Sequence, residues 1–395
     1  MNSQAARLPS NRDENWKYAN LRALARARFE PSPAPAPGLL GELASVLPAA
    51  LERFPRLVLL DGHPVEAQSA LPAGVTLASD TRAGADFASE PPVAASVDRY
   101  FADLNHRYRV ATCRIDVPAG GVLALEVLCI AAGTGHPAIE VRLGAGARLT
   151  LIERHLGART DSPRIANLHL HLELAEGARL AAARLGQHDA RTQFVETVDA
   201  RLDTAAEATF VQLVEGGAAS RSTAFVELAG RGAAVDWHAA TLGESTQCHD
   251  AYVRISHAAP DTRTQQVFRG IAAARSRIAF NGHMLVRPAA VGTRTAQSLK
   301  CLLAGTEAEA DVRPQLEIHT DAVQASHGAT VGMLDADMLF YLLSRGIPPA
   351  AAESLLKWAF ISDVLSRLPS AALRAQVEAA LERQLPGAAA SRIGS

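Results

Sequence analysis

The chain has 395 residues, 48% hydrophobic and 20% charged, with a formal net charge of -2. That balance belongs to a globular protein with chain enough for two or three cores, and it excludes disorder as the main state. It also argues against nucleic acid as a partner, since no lysine or arginine cluster supplies the basic face such binding needs.

The polar start MNSQAARLPSNRDENWK has no apolar signal core, and no run has the length of a membrane span, so the sequence predicts a cytoplasmic protein that does not contact membrane. Residues 13–28, DENWKYANLRALARAR, read as an amphipathic helix with Trp16, Leu21 and Leu24 on its apolar stripe and Asp13 and Glu14 at its start. The proline run Glu30 to Gly38 ends it. A short helix, LLGELASVLPAALERF, and an apolar run, LVLLDG, follow, and SEPPVAAS at Ser89 to Ser96 marks a boundary.

Beyond that boundary the texture becomes short alternating segments separated by small residues. VRLGAGARLTLIERHLG, LELAEGARLAAARLGQ, RLDTAAEATFVQLVEG and VELAGRGAAVDWHAATLG each read as strand, turn, strand, with matching turns recurring every 26 to 31 residues. Such a unit cannot bury its apolar face alone, so units stack, and a mainly β fold of the parallel β-helix type is predicted. The tail is helical: LDADMLFYLLSRG with Asp335 or Asp337 as N-cap and Gly346 as stop, then a helix starting on Pro348 and Pro349, then one from Ser370. The predicted organisation is an N-terminal helical and mixed region over 1–96, a β-helix core over 97–330 and a C-terminal helical domain over 331–395. The tail has more apolar surface than it can bury by itself, so it should pack on the solenoid end or offer a groove to a partner.

The familiar enzyme signatures are missing: no phosphate-binding G-x-x-x-x-G-K-[ST], no G-x-S-x-G and no H-E-x-x-H occurs, and GAGARL at Gly144 is a turn between strands. His169, His171 and Glu173 share one face of a strand. A metal reading would need a further ligand from a neighbour, and a solvated outer face accounts for them more simply. Cys113, Cys129, Cys248 and Cys301 are widely spaced, without a C-x-x-C pair, so a metal cluster would need ligands from another chain or would be handled only transiently. Cys301 reads as a buried thiol, and Cys248 is a weak thiolate candidate if a neighbouring His249 imidazolium lowers its pKa. In PQLEIHTDAVQASHGATVG, Pro314 to Gly332, alternation groups Val323, Ala325, His327 and Ala329 on one side and Gln324, Ser326 and Thr330 on the other. His327 therefore sits with the apolar set where the strands stop, as a satisfied core histidine or as a ligand aimed at something that docks there.

The strings ENWKYANLRAL, FNGHMLVRP, AQSLKCLLAG, PQLEIHTDAVQASHGATVG and LFYLLSRGIPPAAAESLLKWAF resemble, in order, the SufB/SufD family of iron–sulfur cluster assembly scaffolds. SufB-type chains carry a cysteine after the glutamine where this chain has Gln297 followed by Ser298, and read Glu-His-Glu-Ala-Thr where this one has Ser326-His327-Gly328-Ala329-Thr330. Both differences point to the SufD type. The resemblance implies a right-handed parallel β-helix, a non-catalytic scaffold that pairs with a SufB paralogue through its β-helix edge and docks a SufC ATPase through the C-terminal helices. Leu339, Phe340, Leu355, Trp358 and Phe360 are the candidate docking residues. It implies that His327, beside Ser326, lies at the SufB interface as a candidate metal ligand shared with the partner chain. A transient iron–sulfur cluster is then held there, with no cofactor bound stably by this chain alone, and a flavin in the assembled complex is left open. SufD chains often carry a cysteine just before that serine; Ala325 stands here, which leaves His327 as the SufD-side candidate. A homodimeric β-solenoid adaptor and a β-helix enzyme acting on polysaccharide are the competing readings.

Overall fold

The computed structural model describes residues 8–26, 28–35, 39, 47–79, 96–158 and 162–385. Two long sheets face each other and are built up coil by coil into a parallel β-solenoid of about eight turns. Sheet A runs from His63–Pro64 and Arg56–Leu60 through Val122–Ala131, Arg148–Gly157, Arg179–His188, Glu207–Gly216, Ala234–Gly243, Arg263–Ala273 and Thr293–Ala304 to Val323–Met333. Sheet B runs from Val75–Ser79 through Ala111–Val117, Ala138–Leu143, Arg164–Leu174, Thr192–Leu202, Ala219–Leu228, Cys248–His257 and Arg277–Val286 to Glu309–Ile318. Adjacent rungs are offset by 26 residues where Gln193 pairs with Ala219 and by 32 where Arg277 pairs with Glu309, close to the period read from the turns. The stack opens earlier than the sequence boundary, because Arg56–Leu60 already pairs in parallel with Val122–Ala131.

Alternation decides which residues face in. On Thr293–Ala304 the odd positions Thr293, Thr295, Gln297, Leu299 and Cys301 are buried, while Arg294, Ala296 and Lys300 are exposed. Inward side chains stack on their counterparts one rung away, as in the column Leu125, Leu151, Ala182, Phe210, Trp237. The corners are tight enough to demand small residues: a Cβ at Gly230 would stand 1.9 Å from the Thr204 nitrogen. The core is not uniformly apolar. Arg184 lies inside it between Glu196 at 2.7 Å and Glu153 at 3.2 Å, and Glu196 also accepts from Gln212 and Ser222. Burial would raise the Glu153 carboxyl, but Arg184 and His155 outweigh it and hold it below the usual range.

The outer faces are covered from both ends of the chain. The helix expected over 13–28 is broken into a single turn at Glu14–Trp16 and a helix α1, Leu21–Arg26. Trp16 accounts for the break: its indole Nε1 donates to Asp98 at 2.8 Å, and its ring takes the buried Arg221 guanidinium at 4.0 Å, on the outer side of sheet B. A helix α2, Tyr100–Tyr108, packs Phe101 against Trp16 there. Of the helix expected over LLGELASVLPAALERF, residues 40–46 lie outside the described residues.

Three helices close the described chain: α3 (Ala336–Ser344), α4 (Pro349–Leu365) and α5 (Ala371–Gln384). Asp335 is the N-cap of α3, accepting from the Asp337 and Met338 amides, and Ser370 caps α5. α4 and α5 lie along the outer side of sheet A, where Ile361, Val364, Leu365, Leu373, Val377 and Leu381 pack on Ile152, Leu185, Val211, Leu213, Leu242 and Ile271. Each such side chain contributes about 1.5–3 kcal/mol on full burial. The tail therefore lies along the flank of the solenoid, and its end stays open.

Candidate functional site

Both sheets end on a strand that has no further neighbour among the described residues: Val323–Met333 in sheet A and Glu309–Ile318 in sheet B. The two edges differ. Glu309–Ile318 carries Glu309, Asp311, Arg313 and Glu317, and it contains Pro314. Its odd-numbered amides turn back to the preceding coil, as Glu309 does to Ser276 and His319 to Val286. Pro314, at an even position, therefore removes a donor from the open side, a common way of blunting an edge. Val323–Met333, by contrast, is eleven residues long and has neither a charged residue nor a proline.

Register places the side chains of this last strand. Gln297 pairs with His327 and Gln266 with Gln297, so His327 continues the inward column Phe210, Trp237, Gln266, Gln297. It belongs to the inward set, yet its ring is exposed because no later coil covers it. The inward neighbours Ala325 and Ala329 are too small to screen it. Ser326 belongs to the outward set and lines a cleft of about 390 Å³ with Arg263, Arg294 and Gln324. As the alternation predicts, the two residues stand on opposite sides of one strand.

No thiolate supports the open end from within the chain. Cys113, Cys129 and Cys301 are buried. Burial pushes the Cys113 and Cys301 thiols up to about 12. Cys301 is inward on Thr293–Ala304, paired with Val331. The Cys248 reading is corrected. Burial and then Asp250 push its thiol up to about 11, and burial holds the neighbouring His249 down to about 4, so no imidazolium stands beside it. His169 and His171 lie on the outer side of sheet B; the solvated face holds for His171, bonded to exposed Glu173 at 3.4 Å, whereas His169 is largely covered and bonded at 2.9 Å to Asp199, which is buried.

The tail residues divide by exposure. Trp358 and Phe360 are half-buried against the sheet A flank, Leu355 and Leu339 are half-buried, and Phe340 is 71% exposed. Met333, at the end of the open strand, and Met338, Phe340 and Tyr341 on α3 are likewise exposed apolar side chains. Sequence reasoning missed Gln266 and Gln297 as site neighbours, although their spacing to His327 follows the coil period.

The sequence model of the family described as SUF system FeS cluster assembly, SufBD core domain, matches residues 129–360, from the end of strand Val122–Ala131 through most of α4. The chain belongs to the SufBD family. It is 29% identical over 396 residues to the iron–sulfur cluster assembly protein SufD of Escherichia coli K12, a match covering 97% of this chain and 90% of that one. SufD of Bacillus subtilis is 29% identical over 171 residues, 43% of this chain and 39% of its own. A SufBD family protein of Synechocystis is 25% identical over 393 residues, 94% of this chain and 86% of its own. The family read from the motifs is borne out, and its SufD side agrees with two relatives of that name. Membership gives this chain a role in SUF iron–sulfur cluster assembly. No helix among the described residues is long and apolar enough to cross a membrane.

Proposed function

We propose that this chain is a non-catalytic scaffold subunit that pairs its open sheet A edge with a SufB paralogue and presents His327 to a nascent iron–sulfur cluster at that junction. The observation that carries the reading is the edge itself. Eleven uncharged, proline-free residues with unpaired backbone groups form a template for another strand, and natural proteins seldom leave such an edge bare. The cluster is the cargo, not a resident group. The donor set suits a shared site, because an exposed imidazole can ligate iron while Cys113, Cys129 and Cys301 are buried and the thiol of Cys248 is pushed up by burial and Asp250. Thiolates would come from the partner.

The SufC ATPase is the proposed occupant of the apolar patch around Phe340 and Tyr341. Removing everything after Gly332 is a poor test of that contact, since it would strip α4 and α5 from the apolar flank of sheet A. Phe340→Ser with Tyr341→Ser leaves that packing untouched and should abolish ATPase capture; retained capture would place the contact elsewhere. For the edge and the histidine, His327→Ala should leave the complex assembled and impair cluster maturation in a complementation assay. Full activity of that variant would remove His327 from the site. Mass measurement of the chain with and without its SufB paralogue separates this pairing from a homodimer, which would appear as a preference for self-association.

A further inference from the structure

Gln297 lies one rung inside His327 and is 4% exposed. Its Nε2 donates to Gln266 Oε1 at 3.0 Å and to the Gly282 carbonyl at 3.1 Å. A carbonyl can only accept, so the Gly282 contact determines which way the Gln297 amide faces. Its Oε1 is left buried without a hydrogen-bond partner among the described residues. An unpaired buried acceptor is destabilising, so a donor brought to it is held. Glycine at 282 makes the arrangement fit: a Cβ there would stand 2.2 Å from Gln266 Oε1 and 3.0 Å from Gln297 Nε2.

The last coil offers one side-chain donor to that oxygen. Its inward residues are Val323, Ala325, His327, Ala329 and Val331 on sheet A, and Ala310, Val312, Pro314, Leu316 and Ile318 on sheet B. Only the imidazole among them has a hydrogen to give. Rungs stand about 4.8 Å apart, within reach of a ring folded back toward the preceding coil.

We propose that Gln297 is a positioning residue for His327: its Oε1 accepts the N–H of one imidazole nitrogen, which selects the tautomer whose other nitrogen is bare and turned to the open end. Histidines that bind metals usually donate their second ring nitrogen to such an acceptor, which sets both orientation and tautomer. The consequence for cluster binding rests on the reading of His327 given above; the Gln297 contact itself does not.

The test is long-range proton–nitrogen correlation on the full-length chain labelled with ¹⁵N-histidine, at a pH where His327 is neutral, with His327 identified by the signal lost in His327→Ala. The expected result is a single dominant tautomer in the parent chain and a mixture typical of free imidazole in Gln297→Leu. Gln297→Glu keeps an acceptor, with Gln266 free to turn its unpartnered Nε2 toward it. It should retain the single tautomer, which mere loosening of the site would not do. A tautomer mixture in the parent chain overturns the proposal, even if Gln297→Leu proves unable to fold. Cluster maturation should fall about tenfold in Gln297→Leu. If the tautomer result holds while His327→Ala keeps full maturation, the positioning contact stands and the cluster role of His327 falls.

Discussion

Arg184→Met is the sharpest test of how the solenoid core is held together. Arg184 serves two fully buried carboxylates at once, Glu196 at 2.7 Å and Glu153 at 3.2 Å. Methionine fills much of the volume but leaves both acids without their cation, a loss of about 3–5 kcal/mol for a buried pair broken on one side. The acids can escape only by taking protons, and holding one carboxyl protonated at pH 7 against an ordinary value near 4.3 costs about 3.7 kcal/mol. In the variant their folded pKa values are raised, so the stability they contribute is present at low pH and lost as pH rises. The gap between variant and parent should therefore narrow from pH 7 to pH 5, by about 2.7 kcal/mol for each carboxyl that has taken a proton. The assay is urea unfolding followed by far-UV circular dichroism at both pH values. Amide hydrogen exchange in the rungs around Glu153 and Glu196 supplements it, because a solenoid opens in parts. Adding Glu153→Gln and Glu196→Gln to Arg184→Met should restore most of the loss, since removing a whole buried ionic group costs far less than orphaning its members, and an amide oxygen at 196 still accepts from Gln212 and Ser222. A single-variant cost below about 1 kcal/mol, or a triple variant no better than the single, would refute the claim that Arg184 neutralises two core acids.

Buried His136, His249 and His257 are each held down to about 4 by desolvation. Their folded pKa values lie below the unfolded value of about 6.5, so stability should be flat above that pH and fall below it, by up to about 4 kcal/mol per pH unit if all three act together. Equal urea midpoints at pH 7 and pH 5 would contradict this. Trp16→Ala removes the ring over Arg221 and the bond to Asp98 and should cost about 3–5 kcal/mol locally. The segment before residue 30 should then become open to limited proteolysis while the coils stay protected; unchanged digestion would show that Trp16 does not hold it.

Much of the site was legible in the chain. Alternation over Val323 to Ala329 put His327 with the inward set, and the ladder agrees; the turn spacing anticipated the offsets between rungs; Asp335 and Ser370 were readable as caps. What was not legible has a common cause. The helix over 13–28 breaks because Trp16 meets Arg221, roughly two hundred residues away, and its own periodicity carries no sign of that contact. The open question of whether the tail sits on the solenoid end or faces a partner was decided by the apolar outer flank of sheet A, which claims α4 and α5 and leaves α3 exposed. Cys248 and His249 are neighbours in sequence yet point to opposite sides of a strand: desolvation and Asp250 raise the half-buried thiol, and burial lowers the imidazole.

The sequence by itself determined the repeat, the inward and outward sets, the helix starts and the family, because each of these rests on local periodicity or on motifs read in place. Only the tertiary structure decided that the uncharged edge is open, that Gln297 stands beneath His327 with an unused acceptor, and that charges lie inside the core. Those properties arise when residues about thirty apart are brought into register and two sheets close on each other. Burial and partner choice then follow from the stacking of coils, which no single coil specifies.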